Sequence, residues 1–199
     1  MLIKDLKVIF GSNAKSQEIL LLLDNAKLVV RQGFYPHEIT SVQDFCHKNN
    51  LHAVQSKFKV VIPKQGFHDA GMRVEEKDGQ LGMYFLYISK NELHAYKASL
   101  AELTLHHKEL GEQLDYPPCC IQYFMENFSS DKPNLQIIPT NPWTNLSRRE
   151  SDFVLLSHFP CSSDCQLSIT LAQKYYNKIK KNDPHYATTL LQNLQCRPE

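Results

Sequence analysis

The sequence predicts an α+β fold, with an N-terminal mixed α/β lobe around a small sheet and a C-terminal, mostly helical unit that bears the cysteines. Three observations point that way. Short runs rich in β-branched and aromatic residues, at 58–62 and 81–88, are bounded by Pro63 and by the turn pair Asp78-Gly79. Beyond Asn91, apolar residues recur at steps of three and four, the period of a helix face. Four of the six cysteines fall in that second half, each pair just ahead of a helical pattern.

Taken in order, residues 8–10 read as a short strand, 16–25 as a helix with Ser16 as its cap, and 27–31 as a strand. Residues 38–49 are helical and end at Asn49-Asn50. A strand at 58–62 stops at Pro63, and the strands at 72–76 and 81–88 form a hairpin across Asp78-Gly79. The 81–88 strand is apolar on both faces, which predicts a central place in its sheet. The longest helix is expected over 91–114, its seam formed by Leu93, Tyr96, Leu100, Leu103, His107, Leu110 and Leu114. A second helix runs from Cys119 to about Asn127, and a loop rich in Pro, Ser and Asn covers 129–143. Further helices are expected over 145–156, from a cap at Ser162 or Ser163 to about Lys181, and from Asp183-Pro184 to about Leu194. The boundary between the units, 1–90 and 91–199, falls near Asn91, and the two are expected to pack as one compact body.

Composition limits the function. Lys and Arg number 22 against 21 Asp and Glu, so no strong field draws in nucleic acid or an acidic membrane. The basic run at 174–181 complements the C-terminal end of its own helix. No stretch approaches the ~18–20 apolar residues of a membrane-spanning helix, and the charged start lacks a signal-peptide core. A reducing, cytoplasmic setting is therefore expected, where clustered cysteines serve metal or redox chemistry more often than disulfides. Seven glycines, without a dinucleotide fingerprint, P-loop or nucleophile elbow, weigh against nucleotide cofactors and serine hydrolysis.

The chemistry concentrates in two similar passages. One is Leu114-Asp115-Tyr116-Pro117-Pro118-Cys119-Cys120; the other is Leu156-Ser157-His158-Phe159-Pro160-Cys161-Ser162-Ser163-Asp164-Cys165. A thiol at a helix start feels the positive end of the helix dipole and unpaired N–H groups, which favour thiolate. Two such starts meeting would converge four sulfurs from separate segments, the arrangement wanted by a four-cysteine iron–sulfur cluster or zinc site. The spacing is neither that of a zinc ribbon nor that of a ferredoxin, and no triplet marks a radical enzyme. Packed thiols and a dithiol redox pair are the competing readings. His158, three residues before Cys161, is a candidate fifth ligand or base, and His107 on the helical seam a candidate ligand or proton carrier; the competing reading of each is a structural histidine, for His107 a core one bonded to backbone. Cys46 and Cys196 lack partner motifs, and Trp143 reads as a loop anchor.

Residues 105–170 resemble an uncharacterised archaeal and bacterial family that pairs a Leu-Gly-Tyr-Pro-x-Cys-Cys block with a His-x-Pro-Cys-Ser-x-x-Cys block. Asp115 stands where that block has glycine. The resemblance implies a site at Cys119, Cys120, His158, Cys161 and Cys165 and names no reaction. The leading expectation is a metal-binding protein with an iron–sulfur cluster or zinc on Cys119, Cys120, Cys161 and Cys165. A small-molecule substrate would sit near His107 and His158. The alternatives are a metal-free thiol enzyme and a non-catalytic module with structural zinc. Oligomeric state is not readable from the sequence.

Overall fold

The computed structural model describes residues 2–62, 71–129 and 131–196. It is α+β as expected, with small antiparallel sheets in the N-terminal half and helices beyond. Helices α1 (Ile3–Phe10), α2 (Asn13–Leu23) and α3 (Pro36–Lys48) surround strands β1 (Val29–Phe34), β2 (His52–Gln55), β3 (Phe58–Val61), β4 (Met72–Glu75) and β5 (Tyr84–Ser89). Then come α4 (Glu92–Leu103), α5 (His107–Gln113), α6 (Pro118–Asn127), α7 (Gln166–Asn182) and α8 (Pro184–Leu194).

The strand expected at 8–10 is the end of α1. Ile3, Leu6 and Phe10, at helical spacing, are buried, while Val8 between them is 87% exposed. Helix α2 begins before Ser16, because Ser12 is the residue whose side chain accepts a bond from Lys15 N–H; Ser16 is buried within the helix. Strand β5 is central, ordered β1-β5-β2, with Ile88 opposite both Val30 and Ala53. With both edges of β5 taken, β4 cannot form the expected hairpin with it. It pairs with β3 instead, and β3 touches the start of the 81–88 run through a Val60–Met83 bridge. Pro63, expected to stop β3, lies outside the described residues.

The long helix expected over 91–114 is two helices. Leu105 takes a left-handed φ of 60°, His106 N–H reaches back to Ala101 C=O at 2.8 Å, and Leu105 N–H to Glu102 C=O at 3.3 Å. This pair of bonds closes a helix end and satisfies carbonyls that would otherwise face nothing. The same closure, on Asn25, Asn50 and Asp115, ends α2, α3 and α5. The expected seam faces outward: Leu93, Tyr96, Leu100 and Leu103 are all exposed, and α4 instead buries Ala95, Ala98, Ser99 and Ala101. Three small residues and a serine let the helix lie close on the sheet.

No helix forms over 145–156. Two 3₁₀ turns (Pro142–Thr144, Arg149–Ser151) precede an irregular segment that buries Val154, Leu155 and Leu156. Asp152, at φ 64°, turns its carboxylate to the first N–H groups of α2, accepting from Asn13 and, at 2.9 Å, from Ala14. A carboxylate at a helix start is favoured, and this one ties the C-terminal half to the N-terminal one. Asp183 caps α8 as expected, accepting from Tyr186 N–H, and its second oxygen accepts from Ile3 N–H. One buried cluster joins Ile19, Leu21, Phe34 and Ile88 to Leu155, Ala172, Tyr175 and Leu190.

Candidate metal centre and adjoining cavity

The turn between α5 and α6 delivers the first cysteine pair. Asp115 takes a φ of 58°, a conformation that aspartate tolerates better than most residues, and its carboxylate accepts from Leu28 N–H at 2.8 Å. Pro117 and Pro118 then fix the entry to α6, with Pro118 at the first helical position, where a missing N–H costs nothing. Cys119 and Cys120 follow in the first turn, Cys119 exposed and Cys120 buried. Gly111 sets how close α5 lies to α6. A Cβ built there would meet Ile121 Cγ1 at 2.7 Å, and Ile121 is stiff at its branched carbon.

The second pair arrives on the loop before α7. Ser163 does not cap that helix; Cys165 is its cap residue, and its carbonyl accepts the first helical bond from Ile169 at 2.9 Å. Ser163 instead pins the loop. Its hydroxyl accepts from Thr140 N–H at 2.7 Å, and its carbonyl accepts from Asn141 at 2.9 Å and Thr144 at 2.7 Å. Trp143 stands edge-on to Tyr176, anchoring the same segment.

The four sulfurs converge. Cys119, Cys120, Cys161 and Cys165 all lie within 4.8 Å of one another, a grouping that could hold a metal ion. The separations are 3.9 Å for Cys119–Cys120, 3.6 Å for Cys119–Cys165 and 3.7 Å for Cys120–Cys165. Cys161 N–H points at Cys120 Sγ from 3.4 Å, and Ser168 Oγ lies 3.2 Å from the same sulfur. Both α6 and α7 aim their N-terminal ends at this point, so two helix dipoles and backbone N–H groups offset thiolate charge.

The thiols are not equivalent. Burial pushes Cys120 up and Cys161 up to about 11. Burial acts on Cys165 too, but bonds from the Ser168 side chain and backbone, with help from Cys119 and Cys161, bring it down to about 7. Cys165 is thus the thiol most easily ionised among these three.

The histidines stand apart from the sulfurs; the thiol group contains none among the described residues. His158 is buried, with Nε2 2.9 Å from Ser168 Oγ, so it reaches Cys120 only through that hydroxyl. Burial, followed by the positive charges of Lys27 and Arg149, drives its pKa down to about 3, leaving a neutral imidazole. Its ring packs on Tyr116 at 4.9 Å. His107 is not on a buried seam; it is exposed and sits edge-on to Phe124 and Phe128.

A cavity of about 440 Å³ adjoins the centre, and Cys120, His107 and His158 all line it. Its wall also holds residues that sequence reasoning missed or misplaced. Glu102 binds the Arg31 guanidinium through both carboxylate oxygens and accepts from Tyr87 OH at 2.6 Å. Burial alone would raise its pKa, but Arg31 holds it below the usual carboxylate range. Behind this wall rather than on it, Lys27 is buried and donates to Glu18 at 2.6 Å and to Ser157 Oγ at 3.0 Å, next to His158. The only trace of either in the sequence is a charge inside an apolar stretch.

No helix is long and apolar enough to cross a membrane among the described residues. No curated protein and no solved structure was found to match the chain. The DUF483 family, proteins of unknown function, matches residues 92–194, the stretch that contains all four clustered cysteines, and the chain belongs to that family.

Proposed function

We propose that the chain is a metal-binding protein in which Cys119, Cys120, Cys161 and Cys165 hold a single zinc ion. The sulfur separations carry this reading. Four thiolates at about 2.3 Å from one ion stand about 3.8 Å apart in a tetrahedron. The separations among Cys119, Cys120 and Cys165, 3.6, 3.7 and 3.9 Å, straddle that value, and Cys161 lies within 4.8 Å of all three. A four-iron cluster gives each thiolate its own iron and spreads the sulfurs farther than one shared ion does, so the tight grouping favours the mononuclear site. With four protein ligands no open coordination position remains, so the ion is structural and joins the starts of α6 and α7 beside the cavity. The reading includes a reducing, cytoplasmic setting, in which the six cysteines stay out of disulfides.

The test is elemental analysis of the full chain purified anaerobically without added metal. One zinc per chain in a colourless protein supports the reading. Iron with visible absorption would replace zinc by an iron centre. The low pKa of Cys165 and its 3.6 Å approach to the exposed Cys119 favour one further reading, a dithiol pair. That pair would pass two electrons and two protons to a disulfide substrate as its own disulfide forms. A metal-free protein with rapid alkylation of Cys165 would select it.

A further inference from the structure

We propose that the 440 Å³ cavity binds an uncharged ring compound carrying one hydrogen-bond acceptor, such as a carbonyl, for the Ser157 hydroxyl. Its size falls within the roughly 300–1,000 Å³ of small-molecule sites. The wall is mostly apolar and rich in rings, among them Phe58, Phe85, Phe124, Phe128 and Phe159. Rings favour other rings, through offset stacking and edge contacts. Two apolar side chains of this wall remain open to water, Phe128 at 40% exposure and Leu105 at 61%. Concave apolar surface of this kind is the part of a protein that an apolar ligand covers.

The charged groups on the wall are already engaged with the protein itself. Arg31 gives its fork to both oxygens of Glu102, and that carboxylate also accepts from Tyr87 OH. Arg73 donates to the carbonyls of Glu102 at 3.1 Å and Leu103 at 3.2 Å, and Arg149 has a partner as well. An ionic ligand would lose its water here without gaining a free counter-charge, a cost that an uncharged one escapes. Ser157 is the polar exception. Its hydroxyl oxygen accepts from Lys27 Nζ at 3.0 Å and from Tyr116 OH at 3.3 Å, which occupies both lone pairs. Its own proton has no acceptor among the described residues, so it is left to donate at the cavity wall. The charge of Lys27 behind the hydroxyl polarises that O–H and strengthens it as a donor.

The site is tested by fluorescence titration of the full chain with propionyl-dimethylaminonaphthalene, an uncharged ring system with one carbonyl. Phenylnaphthylamine, uncharged and without oxygen, and anilinonaphthalene sulfonate, which bears an anionic head, are the controls. The expected result is saturable binding of one carbonyl probe per chain, with the sulfonate at least about tenfold weaker. Ser157→Ala should weaken the carbonyl probe about fivefold, the worth of one neutral hydrogen bond, and shift its bound emission to the blue. The same variant should leave phenylnaphthylamine unchanged, and thermal melting confirms that it is folded. Phe128→Ala, at a half-exposed position that the core does not need, should weaken both uncharged probes several-fold and keeps the test decisive should Ser157→Ala fold poorly. Sulfonate binding as tight as that of the carbonyl probe, or unsaturable binding, would overturn the proposal. So would a folded Ser157→Ala or Phe128→Ala variant that binds the carbonyl probe as tightly as the parent. Metal content is recorded on the same sample. A zinc-free chain that binds the carbonyl probe selectively overturns the metal reading alone, and a zinc-loaded chain that does not overturns the cavity reading alone.

Discussion

Cys120 and Arg31 line one cavity, but they are stabilised by different means. Around the sulfurs the donors are backbone and hydroxyl groups, from Cys161 N–H and Ser168 Oγ, and two helix ends supply partial positive charge. Around Arg31 the partner is a full carboxylate, buttressed by the Tyr87 hydroxyl. The Arg31–Glu102 pair is electrostatically complete as it stands. On the proposed zinc reading, the thiol group gains its full binding energy only when an ion replaces four protons. One side of the cavity should thus answer to chelators and the other to charge removal.

The largest effect should come from the metal. Stripping zinc from the full chain is expected to lower the melting temperature by roughly 10 °C, the shift produced when a site filled about a thousandfold above its Kd is emptied. Calorimetry with and without a strong chelator checks it, and Cys165→Ser should show the low value with no chelator and less than a tenth of the parent's zinc. Glu102→Gln attacks the other side. It leaves the Arg31 charge without its partner and should cost about 2–3 kcal/mol in urea unfolding, with zinc content unchanged. A loss of zinc in that variant would erase the contrast.

The pH response sharpens it. His158 titrates near 3 in the fold and near 6.5 when unfolded, so between those values only the unfolded chain takes up the proton. Stability is then complete above about pH 6.5 and falls as pH drops, by about 1.4 kcal/mol per unit from this one group. His158→Gln should flatten that slope in denaturant melts measured from pH 7 to 4. Ser168→Ala removes a buried hydroxyl from both His158 and Cys120 and should cost about 1–2 kcal/mol. It should also raise the Cys165 pKa above its present value of about 7, slowing alkylation of metal-free protein at neutral pH. The smallest change is expected at Leu93→Lys on α4, within about 0.5 kcal/mol, because that side chain is 56% exposed.

That last residue shows where sequence reasoning fails. The step of three and four along Leu93, Tyr96, Leu100 and Leu103 is a valid helical stripe, yet the face that packs is Ala95, Ala98 and Ala101. Close approach to the sheet rewards small side chains, and hydrophobic size alone points to the wrong side. The break at Leu105 was hidden for a related reason. A left-handed leucine carries no compositional signal, whereas Gly11 at the end of α1 does. The convergence of the cysteines was legible because helix starts are marked by local chemistry: Pro118 before one pair, and the serines between the other two, although the cap there is Cys165 rather than Ser162 or Ser163. The Arg31–Glu102 pair was not, since its members stand 71 residues apart and meet only through β1 and α4.

Gly111 gives the thiol geometry a remote mechanical dependence. A methyl group at that position would push against Ile121, the neighbour of Cys120, and so would tilt α6 as a rigid lever. Two of the four sulfurs ride on the short arm of that lever and two do not. The spacing of the sulfurs thereby depends on an absent side chain on a different helix.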